Sequence, residues 1–157
     1  MNKQEFVIYL AGLMDADGYF GISYSKKNYS AIISINQTKP EAISYIRKYY
    51  ACSYSFLQDT RSNRKPRYFV NIRANDKLRF IKDIYPYLLI KKLQVELLIK
   101  FLNKTESLEL LYRRMKQLNQ VGLENKIYLF KDDPEFDDYY LDDVSLLSDN
   151  SFYPKGI

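Results

Sequence analysis

The first 17 residues combine a helical pattern of apolar positions with two carboxylates. Apolar side chains recur every three or four positions over residues 4–14, which predicts an amphipathic helix. Gly12 and Ala16 lie four positions apart and therefore share a face, where another backbone can approach closely. Asp15 and Asp17 follow at the helix C-terminus, where unpaired carbonyls carry about half a negative charge. This end of the helix is predicted either to bind a cation or to form a solvated turn.

Apolar and polar positions then alternate with a period of two, which predicts four strands. The first pair spans about residues 19–26 and 30–37, joined by a turn at 27–29, and the second pair spans about 53–60 and 67–74. One alternate set of side chains is apolar and is predicted to face the core: Phe20, Ile22, Tyr24, Ala31, Ile33, Ile35, Tyr68, Val70 and Ile72. The strands are predicted to form one antiparallel sheet with a buried face and a solvent face.

Helices are predicted before, between and after the strand pairs. Thr38 and Glu41 have the spacing of a capping box, with a proline in the first turn, so a helix is predicted from there to about Tyr49. Two more helices are predicted over about residues 87–101 and 108–119. This order of elements predicts an α+β fold in which helices cover one face of the sheet.

The other face of the predicted sheet is polar and basic. Arg and Lys suit the acceptors of guanine, Asn and Gln suit adenine, and hydroxyl groups adapt to either, so this chemistry fits DNA. The candidate DNA-binding residues on this face and in the turn between the last two strands are Ser23, Ser25, Lys27, Ser30, Ser34, Asn36, Arg61, Arg64, Lys65, Arg67, Asn71 and Arg73. An ordinary solvated sheet face is the alternative. Strands of about eight to ten residues reach roughly 30 Å, somewhat under ten base pairs per copy.

The net charge of +5 hides a strong asymmetry along the chain. Residues 1–126 carry 22 Lys or Arg against 11 Asp or Glu, whereas residues 127–157 carry 2 against 8. A basic surplus of this kind is the electrostatic footprint expected of a phosphate-binding protein. The sequence therefore predicts a domain at 1–126 and an acidic C-terminal extension at 127–157 that is partly packed or disordered.

The composition excludes several classes of site. The chain has a single cysteine, Cys52, and no histidine, which excludes an intrachain disulfide, a thiolate zinc site, imidazole metal ligands and a histidine general base. Nucleases of the HNH type are excluded with them. No apolar run is as long as a membrane span, and the first helix lacks the pattern of a secretory signal, so we expect an intracellular protein without a membrane partner.

The segment at residues 10–18 reads LAGLMDADG and resembles the motif that names the LAGLIDADG homing endonucleases, with eight of nine positions identical. The resemblance extends to about residue 127. It implies the α+β fold of that family: an αββαββα core with a four-stranded antiparallel DNA-binding sheet and additional C-terminal helices. The helix at 87–101 lacks the terminal acid pair, so the chain has one motif, and single-motif members imply a homodimer. The expected dimer interface comprises Leu10, Ala11, Gly12 and Leu13.

The resemblance also implies an activity and assigns roles to individual residues. A site-specific homing endonuclease, encoded by an intron or intein, makes metal-dependent double-strand breaks in a long pseudo-palindromic DNA site. Mg²⁺ is the expected metal, and Mn²⁺ is expected to work as well. The resemblance implies that Asp17 is the catalytic metal ligand, that Ala16 is a second ligand through its carbonyl, and that Asp15 supports them. Gln37 is implied to order the catalytic water, and Lys91 to stabilise phosphate charge.

Two other functions remain open on the same resemblance. An RNA maturase would bind the intron RNA that encodes it, and a catalytically silent protein would bind DNA without cutting it. Glu41 stands where related single-motif enzymes carry an active-site arginine, for which Arg47 or Arg73 could substitute. The expected location is a mitochondrion or chloroplast, or else a bacterial or archaeal cytoplasm.

Overall fold

The computed structural model of the chain describes residues 1–58, 63 and 65–120. The chain divides into two units, Met1–Lys116 and Gln117–Ile157. The sheet and the site lie in the first unit, whereas the predicted acidic extension at 127–157 lies outside the described residues. Within those residues the elements are α1 (Lys3–Asp17), β1 (Gly18–Ser25), β2 (Asn28–Gln37), α2 (Pro40–Tyr49), β3 (Cys52–Leu57), β4 (Arg67–Ile72), a 3₁₀ turn (Ala74–Asp76), α3 (Lys77–Ile84), a second 3₁₀ turn (Tyr85–Tyr87), α4 (Lys92–Asn103) and α5 (Leu108–Gln120).

The four strands form one antiparallel sheet in the order β1-β2-β4-β3. Helices α1, α2 and α4 contact the strands, and α3 packs against α1 and α4. The predicted α+β class and the predicted order of helices and strands are therefore confirmed. No helix among the described residues is both long enough and apolar enough to cross a membrane.

The alternation predicted for the strands is confirmed at nearly every core position. The buried side chains of the sheet are Phe20, Ile22, Ala31, Ile33, Ile35, Val70 and Ile72. Tyr24 differs, because it lies next to the end of the β1–β2 hairpin and is 51% exposed. Its ring instead lies 4.6 Å from that of Tyr29 and 6.2 Å from that of Tyr112 on α5, measured between centroids. The core prediction was therefore wrong for Tyr24, and Tyr68 is only half-buried.

The β1–β2 hairpin turns earlier than predicted. Ser25 pairs with Asn28, so the turn consists of Lys26 and Lys27, at φ values of 49° and 63°. Positive φ at both central positions is the geometry of a type I′ turn, whose twist matches that of the flanking strands, so these two lysines adopt the left-handed region. Lys27 is consequently at the tip of the hairpin, where its side chain is exposed, and not on the strand.

The capping box predicted at Thr38 and Glu41 was wrong. Helix α2 begins one residue later than predicted, with Lys39 as N-cap and no capping bond from its side chain. Glu41 therefore occupies the second helical position and cannot close a capping box, although an acid there still favours the helix dipole. A capping box does occur on α1, between Asn2 and Glu5.

A buried carboxylate fastens α3 to the segment before β3. The Oδ2 atom of Asp76 accepts hydrogen bonds from the backbone N–H of Ala51, at 2.6 Å, and from Nη2 of Arg79, also at 2.6 Å. Arg79 donates a second bond to Oδ1 of Asp76 and another to the carbonyl of Tyr49. The Arg79 guanidinium and the Ala51 N–H together hold the pKa of Asp76 below its ordinary value.

Replacing Asp76 with asparagine is expected to lower the free energy of unfolding by about 2 kcal/mol at neutral pH, because Arg79 loses its charged partner but stays half exposed to water. Because the native pKa lies below the ordinary 3.8, the wild-type advantage is present above that value and is lost as the pH falls through the lowered native pKa. Urea unfolding of both proteins against pH measures this, with Asn75→Ala, at an exposed neighbour, as control. Equal stability at neutral pH contradicts the assignment.

Candidate active site

The C-terminus of α1 places an exposed carboxylate at one end of strands β1 and β2. Asp17 is the last residue of α1, and Gln37 is the last residue of β2. Pairing of Gly18 with Ile35 brings these two ends together. The Nε2 atom of Gln37 donates a hydrogen bond to Oδ2 of Asp17 at 3.0 Å. The amide thus fixes one carboxylate oxygen of an exposed side chain.

Asp15, two positions earlier, is buried and serves a different purpose. Its carboxylate accepts three backbone N–H bonds, from Leu89 at 2.7 Å, Ile90 at 3.2 Å and Lys91 at 2.9 Å. These bonds hold residues 88–91 in a non-helical conformation, so α4 begins at Lys92 and not near Tyr87 as predicted. Asp15 therefore positions the segment that carries Lys91 beside the end of α1.

The side chain of Lys91 neutralises the end of α1. Its Nζ donates to the carbonyls of Met14 at 3.0 Å and Gly18 at 2.6 Å, and lies 3.5 Å from that of Ala16. A positive charge is favourable here because the helix C-terminus is negative. Partial burial lowers the pKa of Lys91, while the carboxylates of Asp15 and Asp17 oppose that shift. The ammonium of Lys91 is therefore one cation at this end of α1, where the sequence predicted that a cation would bind.

Replacing Lys91 with methionine is expected to lower the free energy of unfolding by about 2 kcal/mol, because partly buried carbonyls lose a charged donor. Lys92→Met is the matched control, since the ammonium of Lys92 lies 5.6 Å from the centroid of the Tyr85 ring and away from these carbonyls. Its loss is expected to cost less than about 1 kcal/mol. Thermal unfolding without DNA measures both, and equal losses for the two variants contradict the role given to Lys91.

The oxygen atoms at this site suit a hard divalent cation. An exposed carboxylate, that of Asp17, lies beside the main-chain carbonyl of Ala16, and both are ligand types that Mg²⁺ prefers. The described residues contain no group of three or more His, Cys, Asp or Glu side chains able to hold a metal ion. The donor chemistry therefore fits the expected metal, with ligands from one copy that need completion by other groups.

A family model described as LAGLIDADG endonuclease matches residues 10–121. The chain belongs to the LAGLIDADG endonuclease family. Two solved structures of the homing endonuclease I-CvuI have a similar fold. One, in complex with the I-CreI target in the presence of 2 mM Mg with the DNA not cleaved, has a TM-score of 0.57 at 20% identity and covers 82% of this chain and 94% of that chain. The other, in complex with its own target in the presence of 2 mM Ca, has a TM-score of 0.54 at 19% identity and covers 78% of this chain and 90% of that chain. A search of curated proteins gives no match.

The LAGLIDADG helix, α1, exposes a different set of residues from the predicted interface. Leu10 and Ala11 are 0% exposed, because they lie on the side of α1 that faces the core of the same chain. Their assignment to the dimer interface is therefore corrected. Gly12 is exposed and Leu13 half-buried, and the large exposed apolar side chains of the helix are Ile8 and Tyr9.

The polar face of the LAGLIDADG sheet is exposed at its margins and shielded at its centre. Its exposed candidates are Ser25, Lys27, Ser30, Asn36, Lys65, Arg67 and Arg73. Ser23 and Asn71 are half-buried, and Arg61 and Arg64 lie outside the described residues. Ser34 is buried, because it is flanked by Tyr19 on β1 and Asn71 on β4, so its prediction as a surface contact is corrected. The Oδ1 atom of Asn71 is buried without a hydrogen-bond partner.

Three further residues bear on the predictions for the LAGLIDADG site. Arg47, one of the two arginines considered as a substitute at the site, places its guanidinium 4.2 Å from the centroid of the Tyr54 ring. Glu41 is exposed in the first turn of α2. Tyr19 was not among the predicted DNA-binding residues. It is 45% exposed and lies on the same face of β1 as Ser23 and Ser25. The alternation itself was the available signal, since it places Tyr19 on the polar face.

Proposed function

We propose that this chain is a homing endonuclease that makes site-specific, metal-dependent double-strand breaks in DNA as a homodimer. The observation that carries the proposal is the exposed Asp17 carboxylate, held by Gln37 at the edge of a sheet with a polar, basic face. The family model and the fold of the DNA-bound relatives support this direction. The basic surplus of residues 1–126 is consistent with a polyanionic substrate.

Each residue of the site has its own role in phosphodiester hydrolysis. Asp17 and the carbonyl of Ala16 would hold the cation. The hydrogen bond from Gln37 engages Oδ2 of Asp17, so Oδ1 would be the carboxylate oxygen offered to the cation. When bound, the divalent cation polarises the scissile phosphate and lowers the pKa of water near it. The ammonium of Lys91 keeps a positive charge beside these oxygens and would stabilise the negative charge of the phosphate. Since the chain has no histidine, no imidazole acts as the general base.

A second copy of the chain supplies the other half of the site. Cutting both DNA strands needs two reacting centres, and one chain has one LAGLIDADG motif. The exposed side of α1 carries Ile8, Tyr9 and the small residues Gly12 and Ala16, which permit close approach of another helix. Leu89 is 86% exposed and borders this surface, because its backbone N–H is bonded to Asp15 of α1. Pairing of two copies through this surface covers the apolar groups and brings both Asp17 residues to one centre.

The same symmetry determines the form of the DNA target. Strand β2 has ten residues, which reach about 33 Å, or somewhat under ten base pairs in each half-site. Two copies related by a twofold axis therefore recognise a pseudo-palindrome of somewhat under about 20 base pairs.

Metal dependence and the nature of the nucleic acid are tested together. Purified protein is incubated with duplex DNA containing its recovered site in Mg²⁺, in Mn²⁺ and with a chelator, and binding to DNA is compared with binding to structured RNA. The proposal expects cutting with either metal, none with the chelator, and preference for DNA. Tight RNA binding without DNA cleavage indicates a maturase, and DNA binding without cleavage under every condition indicates a silent binder.

A further inference from the structure

Tyr19 is the aromatic side chain on the polar face of the sheet that lies nearest to Asp17 along the chain. It follows Asp17 by two residues and is 45% exposed. A tyrosine projecting straight out from this position would stand in the space that DNA must enter to reach Asp17. The ring does not project in this way, and the residue that permits this is Gly21.

The Tyr19 ring lies along β1, over Gly21. A Cβ atom added to Gly21 would lie 2.5 Å from Oη of Tyr19 and 2.6 Å from its Cε1 and Cζ atoms. Any side chain at position 21 therefore collides with the phenol. Because the atoms concerned are at the far end of a flexible side chain, the collision would turn the ring away at little cost to the fold. Gly21 thus keeps one ring face against the backbone and leaves the other face outward.

The position of Tyr19 along β1 determines which base pair it can reach. Positions 19, 21, 23 and 25 share the polar face and run from the Asp17 end to the hairpin tip. Alternate residues are about 6.6 Å apart, or roughly two base pairs, so Tyr19 lies about six base pairs inside Ser25. Tyr19 is therefore the innermost side chain of β1 on this face. The phenol oxygen of Tyr19 lies over Gly21, so the part of the side chain left to face outward is the flat, apolar ring. The apolar group that bases display in the major groove is the thymine methyl.

We propose that Tyr19, held flat by Gly21, selects thymine at the innermost base pair that strand β1 reads. This inference rests on the proposed function and adds a specificity determinant to it. The outward ring face covers the thymine C5-methyl, while Gly21 keeps the phenol low enough for DNA to reach Asp17.

The test compares thymine with deoxyuridine, which lacks only the methyl group. Wild-type protein first yields its preferred site from a randomised duplex, and in each half-site the thymine at the innermost base pair that β1 reads is then replaced by deoxyuridine. A preferred site with no thymine at that base pair overturns the inference. We expect wild type to cut the thymine site about fourfold faster, which corresponds to burial of one methyl group. Tyr19→Ala is expected to cut both duplexes equally, and Tyr19→Phe is expected to keep the thymine preference because it keeps the ring. The matched control, Ser25→Ala, should alter preference only towards the outer end of the site.

Substitution of Gly21 gives a second, independent test of the inference. Gly21→Ala should lose the thymine preference as Tyr19→Ala does, yet melt within about 1 °C of wild type because only the ring is displaced. In the Tyr19→Ala background the same change should have no further effect on preference, since no ring remains to be displaced. A thymine preference that survives Tyr19→Ala, or an undiminished effect of Gly21→Ala in that background, overturns the inference alone. Failure of wild type to bind or cut any DNA overturns the proposed function and this inference with it.

Discussion

Replacing Asp17 with asparagine is expected to reduce DNA cleavage by about a thousandfold or more, through loss of a metal-binding carboxylate in the transition state. The side chains have the same shape, and the amide oxygen of asparagine can still accept the bond from Gln37. The fold and the polar sheet face are therefore preserved, and DNA affinity should stay within about threefold of wild type. Single-turnover cleavage rates and binding constants on the same duplex separate the two effects.

Two carboxylate variants serve as controls for this result. Glu41→Gln removes an equal charge from an exposed position at the start of α2 and is expected to leave cleavage within about twofold of wild type. Asp15→Asn should instead lower stability, because Asp15 accepts three backbone N–H bonds from residues 89–91. Cleavage by Asp17→Asn within tenfold of wild type contradicts the assignment of Asp17 as the metal-binding carboxylate.

Replacing Gly12 with arginine is expected to convert the protein to monomers and to reduce cleavage by roughly a hundredfold or more, because a bulky charged side chain separates the paired helices. The folded chain itself has room for the change, since a Cβ atom at Gly12 meets no atom within 4 Å. Arginine also has higher helix propensity than glycine by up to about 1 kcal/mol, so α1 should not be weakened locally. Sedimentation equilibrium measures the association state.

The matched control for this prediction is Gly12→Ala, which adds only a methyl group to the same surface. It is expected to dimerise more weakly than wild type and to retain cleavage at high protein concentration. If Gly12→Arg remains a dimer with wild-type cleavage, the subunits pair through some other surface.

The parts of the fold that depend on local patterns were predictable. Strand alternation places Ile33 and Val70 in the core, and the period of α1 ends in the acids of the motif, because these relations involve neighbours within a few residues. Tyr24 was mispredicted because its burial depends on where the hairpin ends. The capping box at Asn2 and Glu5 was readable from spacing but was not predicted.

The proximity of the candidate site residues was predictable, but the hydrogen bonds that connect them were not. The structure brings Asp17, Gln37 and Lys91 together at the end of α1, and the roles that the family resemblance implies for them stay predictions. The bonds from residues 89–91 to Asp15 join positions more than 70 residues apart, and no local pattern encodes them. The same limit explains the misplaced Leu10, since periodicity shows that a helix has an apolar face but not what covers it.

The central claim is that two copies of this chain use Asp17 to cut both strands of one long DNA site. Incubating a randomised duplex library with the protein and Mg²⁺, beside an Asp17→Asn sample, and sequencing the ends produced tests it most directly. The account predicts double-strand cuts at a single near-palindrome, present with wild type and absent with Asp17→Asn. Cuts that persist in the Asp17→Asn sample, or none in either sample, contradict it.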